Sequence, residues 1–384
     1  MSRRGVALVL SLFGLSVYGA SLAQTGDPNL ASGSPIQARA TCREVVLARK
    51  PGWAFTGSFT PDGSQLLVVD ALYETILRYS RSGESLGPIE EPIKSTLQNL
   101  LPISGKARGD EFIVEITDGF MVLDKNLRPA MTKRLVSSGE GWSVGGIWQW
   151  EPVGKTDIVA FVDLVLSGVD REDRKDLENN WRTGFVRFPL EHPEQAKVLK
   201  LFPINGTQNR GYFRSGYRYI TSLGDAAYFL SMNQGVRLFK NEKGKRPEDV
   251  SHLLPKSLRR PVLLDWDYLE QYTDMLKQIE QEAMPVGLYG WNNTLYLLYR
   301  SPMAEGKGTR WELYGIDPTG KIMSRAEVPI RANHVTVVPG PQQWAFIEKG
   351  PVLAYGSQDI SRVLLIPAER LKAPLRSSGT LCTD

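Results

Sequence analysis

Short apolar runs of strand length recur along the chain from Gln65 onward. QLLVVD at Gln65, EFIVEIT at Glu111, DIVAFVD at Asp157, AAYFLSM at Ala226, TLYLLYR at Thr294 and WAFIEK at Trp344 are rich in β-branched and aromatic residues. The first of them begin about 46 residues apart and the later ones up to about 70, close to the period of repeats built on one supersecondary unit. A partner run follows each: TILRYS at Thr75, GFMVLD at Gly119, GFVRFP at Gly184, GVRLFK at Gly235, RWELYGID at Arg310 and SRVLLIP at Ser361. Most units add a third, such as MTKRLVS at Met131, AKVLKLF at Ala196 and SRAEVPI at Ser324. A further short run precedes the set: WAFTGSF at Trp53, VGGIWQW at Val144, YRYITS at Tyr217, VGLYGW at Val286 and NHVTVVP at Asn333. In the second unit, near Leu100 to Ser104, it is poorly marked. Runs of this kind, bounded by Gly, Pro and Asp, predict buried strands.

Six units of about four strands predict an all-β fold, a six-bladed β-propeller with four-stranded antiparallel blades. Seven blades is the alternative count. The phrase GSFTPDGSQLLVVDALYETILRYSRSGE, from Gly57 to Glu84, resembles secreted six-bladed propellers of the broad NHL and TolB-like type. The resemblance covers about Cys42 to Cys382; it implies the fold and is nearly silent on function. The sixth unit has an inner strand near Asn333, a second near Trp344 and a third near Ser361, but no outer strand. CREVVLAR, from Cys42, precedes the first inner strand and has no other place. It is expected to complete the last blade and close the ring.

With the strands of a blade lettered A to D from the axis outward, the turns are unequal. The A–B turns (TPDGS at Thr60) and C–D turns (SRSGE at Ser80, DKNLRP at Asp124, DPTGK at Asp317) are short. Long connections are B–C (Leu164 to Trp181, Ser301 to Thr309, Gly350 to Ile360) or D–A (Ile89 to Leu100, Pro203 to Gly216, Leu254 to Met284). In up-and-down blades both long kinds lie on one face. One face of the disc is therefore expected to be decorated, and long loops on a rigid scaffold are where binding residues sit. Asp70 and Glu74, in the short first B–C link, should reach that face.

The insertion between units four and five predicts a helix over about 263–284. Trp266, Leu269, Tyr272, Leu276, Ile279 and Ala283 recur at helical steps, with Asp265 as cap and Pro285 as stop. It reads as a cap over the central channel, or as a lid or docking helix. In NGTQNRGYFRSGYRYITS, from Asn205, three arginines interleave with four aromatics, a good composition for anions, sugars or peptides. The ordinary role of such residues is a blade edge with surface arginines. Tryptophans at 142, 148 and 150 cluster on the third inner strand, where large rings fill the wedge between sheets. His334 begins the sixth inner strand. The ligand-binding candidates are Arg214, Tyr217, Arg218, Trp148, Trp266 and His334; no catalytic or metal residue is predicted.

Composition narrows the picture. The chain has 384 residues, 42% hydrophobic and 23% charged, with 36 Gly and 24 Pro, as expected of a turn-rich globular protein. A net charge of +4 with scattered basic residues gives no nucleic-acid signature. Arg3 and Arg4, the apolar run Val6 to Val17 and Ser21-Leu22-Ala23 read as a signal peptide over 1–23, favouring the general secretory route over twin-arginine export. Residues 24–41 read as a flexible spacer and 42–384 as one propeller domain. The expected location is periplasmic or secreted, with no transmembrane anchor and a monomeric state. The only two cysteines, Cys42 and Cys382, are then expected to pair as a disulfide at the seam.

Three scattered histidines do not make a metal cluster, and DREDRKDLENN from Asp170 lacks the Gly hinge and ligand spacing of an EF-hand. No GxSxG, P-loop, CxxCH or HExxH motif is present. NGT at Asn205 and NNT at Asn292 match glycosylation sequons. Two readings follow. The first is an exported binding or scaffold module without a cofactor, holding a protein, peptide or carbohydrate on the decorated face. The alternative is a propeller hydrolase or lactonase; that resemblance implies a metal such as Ca²⁺, held in the channel by inner-strand carboxylates and amides. The inner strands offer few such ligands, Glu151 and Asn333 being the nearest.

Overall fold

The predicted apolar runs form strands, and the strands group in fours. A computed structural model describes residues 42–47, 51, 54–70, 74–89, 102–117, 119–135, 141–168, 180–202, 210–212, 218–232, 235–259, 263–265, 282–303, 308–332, 334–352, 358–372, 381 and 382. Arg43–Val45 (β1) comes first. Blade 1 is Ala54–Phe59 (β2), Gln65–Asp70 (β3), Thr75–Ser80 (β4) and Ser85–Ile89 (β5). Blade 2 is Pro102–Arg108 (β6), Glu111–Ile116 (β7), Gly119–Leu123 (β8) and Pro129–Arg134 (β9). Blade 3 is Trp142–Val153 (β10), Asp157–Leu166 (β11), Trp181–Pro189 (β12) and Lys197–Phe202 (β13).

Arg210–Tyr212 (β14) stands apart. Blade 4 is Arg218–Leu223 (β15), Ala226–Ser231 (β16), Arg237–Asn241 (β17) and the two-residue Glu248–Asp249 (β18). After Leu263–Asp265 (β19), blade 5 is Met284–Trp291 (β20), Thr294–Pro302 (β21), Thr309–Ile316 (β22) and Ile322–Glu327 (β23). Blade 6 is His334–Val338 (β24), Gln343–Val352 (β25) and Gln358–Pro367 (β26), with β1 antiparallel on its outer edge, Arg43 opposite Leu365 and Val45 opposite Val363. The structure is thus a six-bladed propeller closed by its first strand.

The packing explains which runs are continuous and which alternate. A B strand has a blade against each side and is buried along nearly its whole length, as in β7 and β11, where only Glu111 and Leu166 at the ends are not. An outer strand such as β9 alternates half-buried and exposed positions. Successive side chains of a B strand enter different wedges: Val68 packs with Val338 and Ile347 of blade 6, Val69 with Phe112 and Val114 of blade 2. Each of the six wedges has its own apolar cluster.

Inner strands of neighbouring blades do not approach one another equally. They lie side by side between blades 1 and 2, 3 and 4, 4 and 5, and 6 and 1. Gly290 marks one close approach: a Cβ there would stand 2.1 Å from the Ser222 carbonyl oxygen. Between blades 2 and 3, and between blades 5 and 6, the inner strands stand further apart. Trp150 fills the first gap and Trp344 the second, and both are fully buried. In a ring of six these two junctions are diametrically opposite.

The seam is locked at several points. Cys42 and Cys382 form a disulfide with Cα atoms 5.3 Å apart. The Leu381 N–H donates to the Glu327 carbonyl at 2.9 Å, and the Leu381 side chain is buried in the cluster between blades 5 and 6. Arg362 on β26 joins Glu44 of β1 to Glu348 of β25. The C–D turn of blade 1 sits so close to β1 that a Cβ on Gly83 would lie 1.9 Å from the Val45 side chain. Reduction of the disulfide, or Cys42→Ser, is expected to lower stability by at most about 5–6 kcal/mol, the chain-entropy value for so long a loop. Denaturant unfolding with and without reductant measures it; equal midpoints would remove the disulfide from the closure.

Candidate functional site

The A–B turns, at 60–64, 109–110, 154–156, 224–225, 292–293 and 339–342, all lie on the plain face together with the short C–D turns. The strand ends that the B–C and D–A connections join lie at the other face, although Leu253, just after blade 4, packs back against Gly320 of a C–D turn. Two of these connections pair with each other: β14, from the connection into blade 4, pairs with β19, from the connection into blade 5, with Arg210 opposite Asp265 and Tyr212 opposite Leu263. These D–A connections therefore build a small accessory sheet. Of the helix expected over about 263–284, Leu263–Asp265 are extended in β19 and Met284 opens β20, while 266–281 lie outside the described residues.

Beneath the decorated face, the B strands end in polar groups. Asp70 and Ser231 are the last residues of β3 and β16, and Asp163 and Arg300 stand near the ends of β11 and β21; all are buried and engaged. Asp70 was expected to reach the face, but it closes β3 between Ala54 and Thr75 and is fully enclosed. Glu74, in the same link, is exposed at φ 52°. Lys349 holds the corresponding place in β25, cross-strand from His334, and has no ion-pair partner among the described residues. Burial pushes its ammonium down to about 8.

Of the predicted binding residues, Arg214, Tyr217 and Trp266 lie outside the described residues, as does Asn333. Arg218 begins β15 opposite Ser231, at the decorated end. His334 begins β24, half-buried, at the same end. Trp148 is half-buried on β10, at an irregularity in its pairing, and packs into the wedge between blades 3 and 4. The structure brings Arg218 and His334 to one face and places Trp148 between blades 3 and 4. Asn292 lies in an exposed two-residue turn on the plain face, with φ 48°.

Around the axis the polar side chains bond to one another. The Thr56 hydroxyl donates to the Gly105 carbonyl at 3.1 Å and accepts from the Gly105 N–H at 2.8 Å, linking blades 1 and 2. Lys106 pairs with Glu151 across blades 2 and 3, and the Ser222 hydroxyl of blade 4 donates to Glu151 at 3.4 Å. Thr221 accepts the Gly290 N–H at 2.6 Å, reaching blade 5. Glu151, the nearest inner-strand candidate for a channel metal, is thus taken by Lys106 and Ser222. Among the described residues no three His, Cys, Asp or Glu side chains converge as a metal set.

Glu115 was not singled out from the sequence. It stands on β7 in the gap between blades 2 and 3, 3% exposed. The Ser104 hydroxyl donates to it at 2.5 Å and the Trp150 indole N–H at 2.9 Å. Burial outweighs both donors and nearby Lys106 and pushes the carboxyl up to about 7. The signal was present in EFIVEI, where an acid interrupts a run buried on both faces.

A cleft of about 290 Å³ opens on the plain face between blades 1 and 2, lined by Thr60, Asp62, Asp110, Asp124 and Lys125 among others. Asp62 serves the A–B turn itself. Hydroxyl donation from Thr60 at 2.6 Å, then the Ser64 N–H at 3.0 Å, hold its carboxyl down near 2.

No family model matches the sequence, and no curated protein does. Solved structures resemble the fold. A member of the DUF4221 family from Bacteroides vulgatus is 10% identical with a TM-score of 0.50, covering 85% of this chain and 97% of that one. Regucalcin from Agrobacterium tumefaciens, a calcium-binding protein, is 13% identical with a TM-score of 0.44, covering 85% and 93%. A gluconolactonase from Xanthomonas campestris is 9% identical with a TM-score of 0.45, covering 86% and 99%. Likeness at these identities concerns the fold alone.

Glu115 makes stability depend on pH with a definite sign. Its folded value, about 7, lies above the ordinary 4.5, so between those values the folded state holds more protons than the unfolded one. The stability this carboxyl contributes is therefore fully present below the lower value and is lost as pH rises to the upper one, at most about 3.5 kcal/mol. Glu115→Gln is expected to flatten that fall in unfolding midpoints. A wild-type midpoint level across the window would contradict the burial assigned to this carboxyl.

Proposed function

We infer that the protein is an exported binding or scaffold propeller, holding a protein, peptide or carbohydrate partner on the face of the B–C and D–A connections. The observation that carries this reading is the accessory sheet of β14 and β19 on that face. Two connections far apart in sequence are tied by backbone pairing, which supports reading them as one unit of the ligand-holding face. Arg218 and His334, which begin inner strands at the same end, are residue types suited to carboxylates or polar ligands. Export is supported by the signal-like first segment and by the disulfide, which persists in oxidising compartments.

The test is direct. Mature protein is screened on peptide and glycan arrays, and hits are titrated in solution. Replacing 203–217 by a short Gly-Ser link is expected to weaken binding at least about tenfold, a loss of about 1.4 kcal/mol, with the unfolding midpoint preserved. Binding that survives the replacement, or arrays without a hit, would count against the reading. Metal-dependent hydrolysis of lactones or esters by the mature protein would replace it with the enzymatic alternative.

A further inference from the structure

A tryptophan fills each of the two wide junctions of the ring, and what its ring meets differs. Between blades 5 and 6, Trp344 packs edge-on against Tyr296 at 5.1 Å and Tyr289 at 5.8 Å between centroids. Between blades 2 and 3, the bonds that cross the gap run through ionisable groups. The Trp150 indole N–H of blade 3 donates to Ser104 at 2.6 Å and to Glu115 at 2.9 Å, both on blade 2. On the channel side of the same gap, Lys106 of blade 2 pairs with Glu151 of blade 3.

We propose that Glu115 makes the junction between blades 2 and 3 a proton-operated seam: shut while the carboxyl is protonated, and loosened when the proton passes to solvent and Lys106 is drawn from Glu151 toward Glu115. The surroundings leave few other outcomes. Strand β8 beside Glu115 reads GFMVL and offers no charge. From blade 3, β11 presents Ile158, Ala160 and Val162 to this wedge, and β10 presents Glu151 beyond Trp150. On β7 itself Glu111 is held by Arg108 at the turn, and Lys133 of β9 lies further out, opposite Phe120. Lys106 is the cation that acts on Glu115.

A protonated carboxyl needs no counter-charge in such a wedge, whereas a carboxylate needs either water or a cation. Both remedies disturb the junction. Water must enter between Trp150 and Ser104, or Lys106 must turn inward and leave Glu151. The junction opposite also holds a buried carboxylate, Glu348, but there Arg362 pairs with it and the Arg331 and Ala332 N–H groups donate to it, so its partners are already in place. The placement of Glu115 near neutrality puts the change within reach of ordinary pH differences outside the cytoplasm.

The experiment follows the Trp150 indole N–H in ¹⁵N-tryptophan-labelled, disulfide-bonded mature protein, assigned with Trp150→Phe. Its signal is expected to move sigmoidally between about pH 5.5 and 8.5, half-complete near 7, and to stand still in Glu115→Gln. Backbone exchange, corrected for its intrinsic pH dependence, should rise several-fold over β6 across that range and stay level over β24. Lys106→Met, which leaves Glu115 in place, should raise the midpoint by at least about half a pH unit, since the anion loses its cation. An indole signal that does not move, or moves equally in Glu115→Gln, overturns the proposal. So does a midpoint unchanged in Lys106→Met, or protection lost equally at both junctions.

Discussion

The constraint that governs this molecule is angular. Six twisted sheets set around one axis diverge outward, and every wedge between them must be filled without voids. Where inner strands touch, glycine and small hydroxyl residues do the filling, as at Gly105 and Thr56, or Gly290 and Thr221. Where they stand apart, a tryptophan does, at Trp150 and Trp344. The pairing of small with small and large with gap fixes the ring at six and leaves two halves, blades 6-1-2 and blades 3-4-5.

Much of this was legible in the sequence, for identifiable reasons. B strands buried on both faces give continuous apolar runs, and these set the repeat. The missing outer strand of the sixth unit and the orphan run at Cys42 could have only one resolution, which the pairing of β1 with β26 bears out. The Asp62-Gly63 turn is scaffold: its carboxylate is spent on Thr60 and Ser64. What local pattern does not carry is which side chains of different blades meet. Glu115 and Trp150 are neighbours only because blade 2 lies beside blade 3, and no periodicity within either strand announces it. Lys349 was passed over likewise, as a charge ending an apolar run. Arg214, Tyr217 and Trp266 fall where irregular composition gives no repeat to anchor a placement.

The two faces of the disc differ in how their turns use polar groups. Tight turns such as those at Asp62, Asp124 and Asp317 satisfy their own backbone donors with a carboxylate, which leaves little to offer a partner. On the opposite face the polar ends of the B strands lie under connections long enough to form their own sheet. These connections are not wholly separate from the wedges: Leu254 and Leu258, in the connection between blades 4 and 5, are buried in the wedge between those blades.

The closing strand has a further consequence for how the molecule fails. A linear stack of repeats frays from its terminal units, because each of those has one bare side. Here the outermost strand of blade 6 is the first strand of the ring, and Cys42 is bonded to Cys382. No blade is terminal, so unravelling cannot begin at an end. It has to begin by parting two blades, across a junction already packed on both sides. That trades slow assembly, since the last blade waits on distant segments, for slow loss of the folded state once it is formed.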